Sequence, residues 1–396
     1  YNRLFQLNLS VSGVKLGKNP STEEICPEMK IVADDKIPFL KGVLEPFFEM
    51  VYLPGGKIGP ADVRDADALI TRTRTRCDRA LLAGSKVGFI ATATIGFDHI
   101  DTAALRELGI DWTNAPGCNA ASVAQYLACV LADFRIPLAG KTLGVVGVGN
   151  VGSRVVRVGE AFGMRVLQCD PPRAEREGGS RFRPLDELVA EADFLTFHVP
   201  LERGGGHPTF HLADAALLAA MKPGAVLINT SRGEVVDGSA LKAALQAGSI
   251  GGAVLDVWEH EPEIDLELLE LVRLGTPHIA GYSTDGKANG TAMSVQAVGR
   301  HFGVIEYTGW TPYSLPVPEQ PLIRLDAALP ESEQLSAACR ASYDIRFDDA
   351  QLRADPAGFE RQRGNYRIRR EPPAYRIEGG APVVRTALAK LGFRFA

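Results

Sequence analysis

Residues Leu143–Gly152 read Leu-Gly-Val-Val-Gly-Val-Gly-Asn-Val-Gly. Leu143–Val148 is short and apolar, which predicts a buried parallel strand. Ser153–Gly163 follows, with Val155, Val156, Val158, Ala161 and Phe162 at helical spacing. Strand, glycine turn and helix in that order form a cradle for a dinucleotide pyrophosphate. Gly147 would permit the tight turn and Gly149 the approach of backbone to phosphate. Gly152 would let helix and strand pack closely, while Asn150 and Val151 lead into a helix N-terminus that faces the anion. The next strand, Arg165–Asp170, ends in an acid 18 positions beyond Gly152. A carboxylate there accepts hydrogen bonds from ribose hydroxyls and repels a 2′-phosphate, so the pattern favours NAD over NADP.

Downstream of this unit, three residues make a chemical set. Arg232 follows the apolar run of Leu227-Ile-Asn-Thr-Ser-Arg-Gly233, at a strand's carboxyl end. Ligands bind there in open α/β sheets, and a guanidinium fork suits a carboxylate. Glu261 lies in Val254-Leu-Asp-Val-Trp-Glu-His-Glu-Pro262 and His278 in Gly275-Thr-Pro-His-Ile-Ala-Gly281. A carboxylate on one ring nitrogen orients a histidine and stabilises its charged form. The other nitrogen can then exchange a proton with a hydroxyl. Proton to histidine, hydride to nicotinamide and carboxylate to arginine describe oxidation of a 2-hydroxy acid. Glu259 and Glu263 compete with Glu261 for the partner role, and His260 reads as a surface or positioning group. Asp256 ends a strand and is read as a holder of the nicotinamide carboxamide, with a helix cap as the plainer alternative. His198-Val199-Pro200 is read as lining the cofactor through backbone and packing.

The whole chain has 396 residues, 45% hydrophobic and 23% charged, with net charge −5. That is the composition of a globular protein of two or three domains. The charge offers no general attraction to nucleic acid or to an anionic membrane. No apolar run approaches the length of a membrane span. Cysteines 26, 77, 118, 129, 169 and 339 have no paired spacing, which suggests reduced thiols in the cytoplasm and no bound metal. Residues 1–28 lack a signal-peptide pattern and read as an upstream or non-native extension before a natural start at Met29, with a short ordered appendage as the alternative.

From Met29 to about 121, strands at Ile31–Ala33, Met50–Leu53, Ala68–Ile70, Val87–Ala91 and Ile110–Thr113 alternate with helical segments at Leu40–Phe48, Arg79–Leu82 and Thr102–Glu107. Ser122–Asp133 is an apolar crossover helix into a nucleotide domain, 122–281, and Ala288–Phe302 is a helix returning to the first domain, which takes in 282–310. Pro312, Pro316, Pro318 and Pro321 mark an extended linker, 311–321, before an arginine-rich segment, 322–396. The expected architecture is α/β, with two Rossmann-like doubly wound domains and a small C-terminal α+β domain.

The stretches G-V-G-N-V-G, I-N-T-S-R-G, L-D-V-W-E-H-E-P and P-H-I-A-G-Y resemble those of the D-isomer-specific 2-hydroxyacid dehydrogenases. The segments Ala91-Thr-Ala-Thr-Ile-Gly-Phe-Asp-His99, Ala115-Pro-Gly-Cys-Asn-Ala120 and Ala280-Gly-Tyr-Ser-Thr-Asp-Gly-Lys287, with the long tail, are similar to a subgroup that acts on 4-phospho-D-erythronate in vitamin B6 synthesis. This resemblance implies Arg232, Glu261 and His278 as catalytic residues. It places Gly147, Gly149, Asn150, Val151, Gly152, Asp170, Val199, Thr230, Ser231, Arg232, Asp256 and Gly281 along NAD. It places Thr73, Thr94 and Arg232 along the substrate, and Tyr282 there as a phenol donor, with packing over the cleft as the alternative. It implies a homodimer through 322–396, with Arg346, Arg369 or Arg370 as a candidate phosphate clamp across the interface. Gln125 stands where relatives often carry glutamate. Two rival readings are another D-2-hydroxyacid dehydrogenase, acting on phosphoglycerate, glycerate or glyoxylate, and an NAD-sensing protein without catalysis.

Overall fold

The computed structural model describes residues 29–396, so the expected extension 1–28 lies outside the described residues. Five parallel strands form a first sheet: β1 Lys30–Asp34, β2 Glu49–Leu53, β3 Ala68–Thr71, β4 Phe89–Thr92 and β5 Asp111–Thr113, in the order β2-β1-β3-β4-β5. Neighbouring residues of β1 feed opposite faces. Ile31 and Ala33 join a core with Val295 and Val298 of the helix Thr284–Phe302, while Val32 joins Leu81 and Leu105. Both faces are therefore covered, as a parallel sheet requires.

The helix expected at Leu40–Phe48 does not form; the segment is a series of turns. Gly42 takes φ +82°, outside helical space, and Pro46 offers no amide for a helical ladder. Leu40, Leu44 and Phe48 are nonetheless buried, so the apolar spacing marks the core without marking a helix.

The second sheet holds β6 Thr142–Val146, β7 Arg165–Cys169, β8 Phe194–Phe197, β9 Val226–Asn229, β10 Gly252–Leu255 and β11 Leu274–Gly275, all parallel, in the order β11-β10-β9-β8-β6-β7. From β6 the chain goes outward to β7, then returns to β8 on the other flank. The crevice between the ends of β6 and β8 is thus the topological switch point, where doubly wound sheets bind ligands. The helix Ala120–Asp133 leads into this sheet, and Ser283 caps the returning helix by accepting from Gly286 N at 2.8 Å.

Three short parallel strands, β12 Leu322–Arg324, β13 Arg376–Glu378 and β14 Arg394–Phe395, form the last sheet. Its helix Glu331–Ser342 lies along Ala120–Asp133. Leu335, Ala338 and Cys339 share one continuous apolar cluster with Val123, Leu127 and Val130. The C-terminal segment is therefore built onto the nucleotide sheet's own core.

Candidate active site

The turn after β6 is shaped by packing at two of its three glycines. Gly147 has φ +84°, and a Cβ there would sit 2.6 Å from His198 O and 2.8 Å from Val199 Cγ1. A Cβ on Gly152 would lie 1.9 Å from Gly147 O, so only glycine lets the helix Gly152–Ala161 start here. A Cβ on Gly149 would touch no protein atom, and bare backbone is presented at that edge of the turn. This cradle fits the pyrophosphate of NAD.

Asp170 follows β7 and is nearly buried. Its Oδ2 accepts from Val148 N at 2.8 Å, and its Oδ1 accepts from Arg173 N at 3.0 Å as the cap of Pro171–Glu177. The acid therefore fastens the glycine turn to the next helix as well as lying at the expected ribose edge. His198, at the end of β8, is driven down to about 3 by burial and stays neutral, in contact with Thr196 Oγ1 at 3.0 Å and Thr230 Oγ1 at 3.4 Å.

Arg232 sits on a locked turn. Asn229 Nδ2 donates to Arg232 O at 2.8 Å, while Asn229 Oδ1 accepts from Ser231 N at 3.1 Å and Ser231 Oγ at 2.8 Å. A Cβ on Gly233 would lie 2.0 Å from the carbonyl carbon of Trp258, so that residue must be glycine. Arg232 Nη1 donates to Ser231 O at 2.8 Å, and Nη2 donates to Asp98 Oδ2 at 3.0 Å. Asn229 and Gly233 were inside the quoted motif, but their roles rest on contacts that spacing does not display.

His278 has φ +56°, a left-handed backbone held from below by Asp256. Its amide donates to Asp256 O at 2.7 Å. Asp256 Oδ1 accepts from Ile279 N and Thr276 Oγ1, each at 2.7 Å, and Oδ2 accepts from Ala280 N at 2.9 Å. Both carboxylate oxygens are thus engaged in organising the histidine loop, a role outside the carboxamide contact and the helix cap weighed from sequence. Glu261 Oε2 lies 2.8 Å from His278 Nδ1, and Oε1 accepts from Trp258 N at 2.9 Å. Glu259 is committed elsewhere, to His211 Nε2 at 2.8 Å and Gly238 N at 2.9 Å, so geometry separates the two acids. Burial pushes the Glu261 carboxyl upward, but the His278 charge and the two hydrogen bonds outweigh it and hold it below its ordinary value. An ionised Glu261 keeps a proton on Nδ1 and leaves Nε2 for exchange. Arg232, Glu261 and His278 line a common cleft of about 400 Å³ with Arg203 and Phe210.

From the first sheet, the loop after β4 lies against Arg232: a Cβ on Gly96 would be 2.4 Å from its Nη2. Thr94 Oγ1 donates to Gly96 O at 2.8 Å and lies 2.8 Å from Thr92 Oγ1. Thr73 is exposed just beyond β3. Gly281 faces Asn119, whose Nδ2 would lie 2.2 Å from an added Cβ, and a Cβ added to Gly117 would lie 3.1 Å from Cγ of Asn150 in the glycine turn. Tyr282 Oη accepts from Arg363 Nη2 at 3.0 Å.

The tail arginines expected as a clamp are engaged within the fold. Arg346 pairs with Asp133, Arg369 is buried on Ser122 Oγ and Ala280 O, and Arg370 holds Asp285 at 2.8 and 3.0 Å. Arg363, not singled out in the sequence, reaches Tyr282 from the tail. Gln125 Nε2 donates to Arg370 O at 2.9 Å, a bond that a carboxylate at this position could not make.

Residues 131–280 match the family model described as D-isomer specific 2-hydroxyacid dehydrogenase, NAD binding domain, and 314–392 match a domain of unknown function. The chain is 51% identical over 354 residues to the erythronate-4-phosphate dehydrogenase of Bacteroides fragilis, covering 88% of this chain and 99% of that one. It is 44% identical over 372 residues to the same-named enzyme of Cronobacter sakazakii, covering 92% and 98%. Among solved structures, the D-lactate dehydrogenase of Aquifex aeolicus, complexed with NAD and lactic acid, superposes with a TM-score of 0.58 at 29% identity, over 72% of this chain and 99% of that one. The chain belongs to the D-isomer-specific 2-hydroxyacid dehydrogenases, in the group formed by the erythronate-4-phosphate dehydrogenases.

Proposed function

We propose that this chain oxidises 4-phospho-D-erythronate with NAD to (R)-3-hydroxy-2-oxo-4-phosphooxybutanoate, a step toward pyridoxal 5′-phosphate. The observation that carries the reading is the His278–Glu261 pair at 2.8 Å in one cleft with Arg232, on the sheet that bears the glycine turn. NAD, when bound along Gly147–Gly152, Asp170 and Val199, supplies the hydride acceptor. Arg232 holds the substrate carboxylate and polarises the developing carbonyl. His278 Nε2 takes the hydroxyl proton, and Glu261 stabilises the imidazolium that results. Thr73 and Thr94 contact the substrate from the first sheet, and closure of that sheet over the cleft excludes water.

The domain reading that goes with this is a lid of 29–121 and 282–310, a nucleotide domain of 122–281, a linker of 311–321 and a dimerisation domain of 322–396. Exposed Phe347, Ile368 and Val383 support a self-association face there. Sedimentation of the chain with Phe347→Glu and Ile368→Glu tests it; a dimer that survives both changes removes that face. Cytoplasmic location is part of the same reading, supported by the five cysteines among the described residues, all free and buried. Among the described residues no helix is long and apolar enough to cross a membrane.

The test of activity is a panel of 4-phosphoerythronate, 3-phosphoglycerate and glycerate, following NADH and adding 2-oxo acids to reoxidise it. Preference for 3-phosphoglycerate or glycerate would move the chain to another member of the family. No turnover on any of the three would favour a non-catalytic NAD-binding role.

A further inference from the structure

Two cations from different parts of the chain crowd one phenol ring. Lys287 Nζ lies 5.0 Å from the centre of the Tyr282 ring and Arg363 Cζ lies 5.5 Å from it. Arg363 Nη2 also donates to Tyr282 Oη at 3.0 Å. A third cation, Arg72 beyond β3, is held by Lys36 O at 3.1 Å, and its charge acts on Lys287. Burial first, then repulsion from Arg72 and Arg369, push the Lys287 ammonium down to about 8.

Little within the fold neutralises this group. Among the described residues, no carboxylate pairs with Lys287 Nζ. Asp285 on the same helix is held by Arg370, and Glu371 accepts from Ser283 Oγ at 2.7 Å. Arg363 has Glu360 at 2.6 Å, but Glu360 is shared with Arg74, and Arg363 Nε is buried with no hydrogen-bond partner. Like charges held together at partial burial are unfavourable until an anion comes between them. Cation–π contacts with Tyr282, with Tyr366 (Lys287, 5.7 Å) and with Phe359 (Arg363, 5.9 Å), each on the order of 0.5–1 kcal/mol at exposed sites, offset the repulsion only in part. The group adjoins the reacting centre, because Tyr282 follows the His278 loop and the charge of Arg363 acts on Glu261.

We propose that Lys287, Arg363 and Tyr282, with Arg72 at the rim, form an anion subsite that takes the substrate's phosphate. The C-terminal segment thereby completes the pocket of its own chain. The proposal rests on the oxidoreductase reading above and adds the basis of its selectivity. A guanidinium fork and a point-charge ammonium together suit a phosphate dianion. A 2-hydroxy acid without phosphate leaves the cations unneutralised and is disfavoured.

The test uses the full chain with Lys287→Met, Arg363→Met and Arg363→Lys. KM for 4-phosphoerythronate should rise roughly 10- to 100-fold in the two Met variants, and less in Arg363→Lys. In Lys287→Met, kcat should change little and kcat/KM for erythronate should stay the same. Equal losses on both substrates, or an unchanged KM in both Met variants, overturn the subsite. A second arm needs no variant and no turnover. Inorganic phosphate should protect Lys287 of the wild-type protein from acetylation at pH 8, read by mass spectrometry, and absence of protection also overturns the subsite. Protection in a protein that oxidises none of the phosphorylated acids would instead leave the subsite standing and remove the catalytic reading.

Discussion

The Arg232 guanidinium, rooted after β9 of the nucleotide sheet, donates through Nη2 to Asp98 Oδ2 of the first sheet's loop, 3.0 Å away. Under the proposed role of Arg232, Asp98 competes with the substrate carboxylate for the same fork. The pair also ties the two sheets together across the cleft. Because Asp98 is well exposed, the contact is weak, within the ~0–1 kcal/mol of surface pairs. Asp98→Asn should therefore free Arg232 and tighten binding of small 2-oxo acid inhibitors by roughly 2- to 5-fold. Inhibition constants for oxamate in the two proteins check this, and equal constants would mean that Asp98 does not compete.

His278→Ala should lower turnover by ~10²–10⁴ while NAD affinity stays nearly constant. Glu261→Gln should act in the same direction, since the amide cannot stabilise a charged ring. Single-turnover rates beside NAD titrations separate chemistry from binding. A His278→Ala protein with wild-type turnover would end the proton-transfer assignment.

Asp170→Ala should have two effects rather than one. NAD binding should weaken and rejection of NADP relax, because the carboxylate no longer opposes a 2′-phosphate. Loss of the cap on Arg173 N should also cost about 1 kcal/mol of stability. Dissociation constants for both cofactors and a melting curve read the two independently. An unchanged cofactor preference with a lowered Tm would confine Asp170 to its structural bonds.

Glu371 gives a pH-dependent outcome. Burial first, and then Asp285, raise its carboxyl to about 7 against the opposing Ser283 and Arg369. A carboxyl whose folded value is raised favours the folded state below its unfolded value, and this contribution is lost as pH rises through about 7. Glu371→Gln keeps an acceptor for Ser283 Oγ and removes the charge. It should raise Tm by a few degrees at pH 8 and hardly change it at pH 4. Thermal melts at the two pH values decide; an equal shift at both would assign the effect to packing.

Local patterns displayed much of this molecule. The strand, the glycine turn and Asp170 announced the dinucleotide unit, because each glycine answers a steric demand within a few residues. Arg232, Glu261 and His278 were legible because strand ends recur where ligands bind. The Leu40–Phe48 segment misled, since its apolar spacing serves the core while Gly42 and Pro46 forbid the helix. What stayed hidden was tertiary. Asp256 as organiser of the histidine loop, Gly233 beneath Trp258, and Arg363 beside Tyr282 all depend on residues that meet only after folding. The tail arginines showed the same limit, for composition counts charges without showing which ones the fold has already paired.

His278, Glu261 and Arg232 follow β11, β10 and β9, neighbouring strands of one sheet, and Asp256 fastens the histidine loop to that sheet. A hinge between the first and second sheets therefore leaves their mutual spacing alone. Opening of the cleft would move the loop Thr94–Asp98 away, while His278, Glu261 and Arg232 would travel as one piece. The ordering entropy of assembling them is met once, when the chain folds, and does not recur with each catalytic cycle.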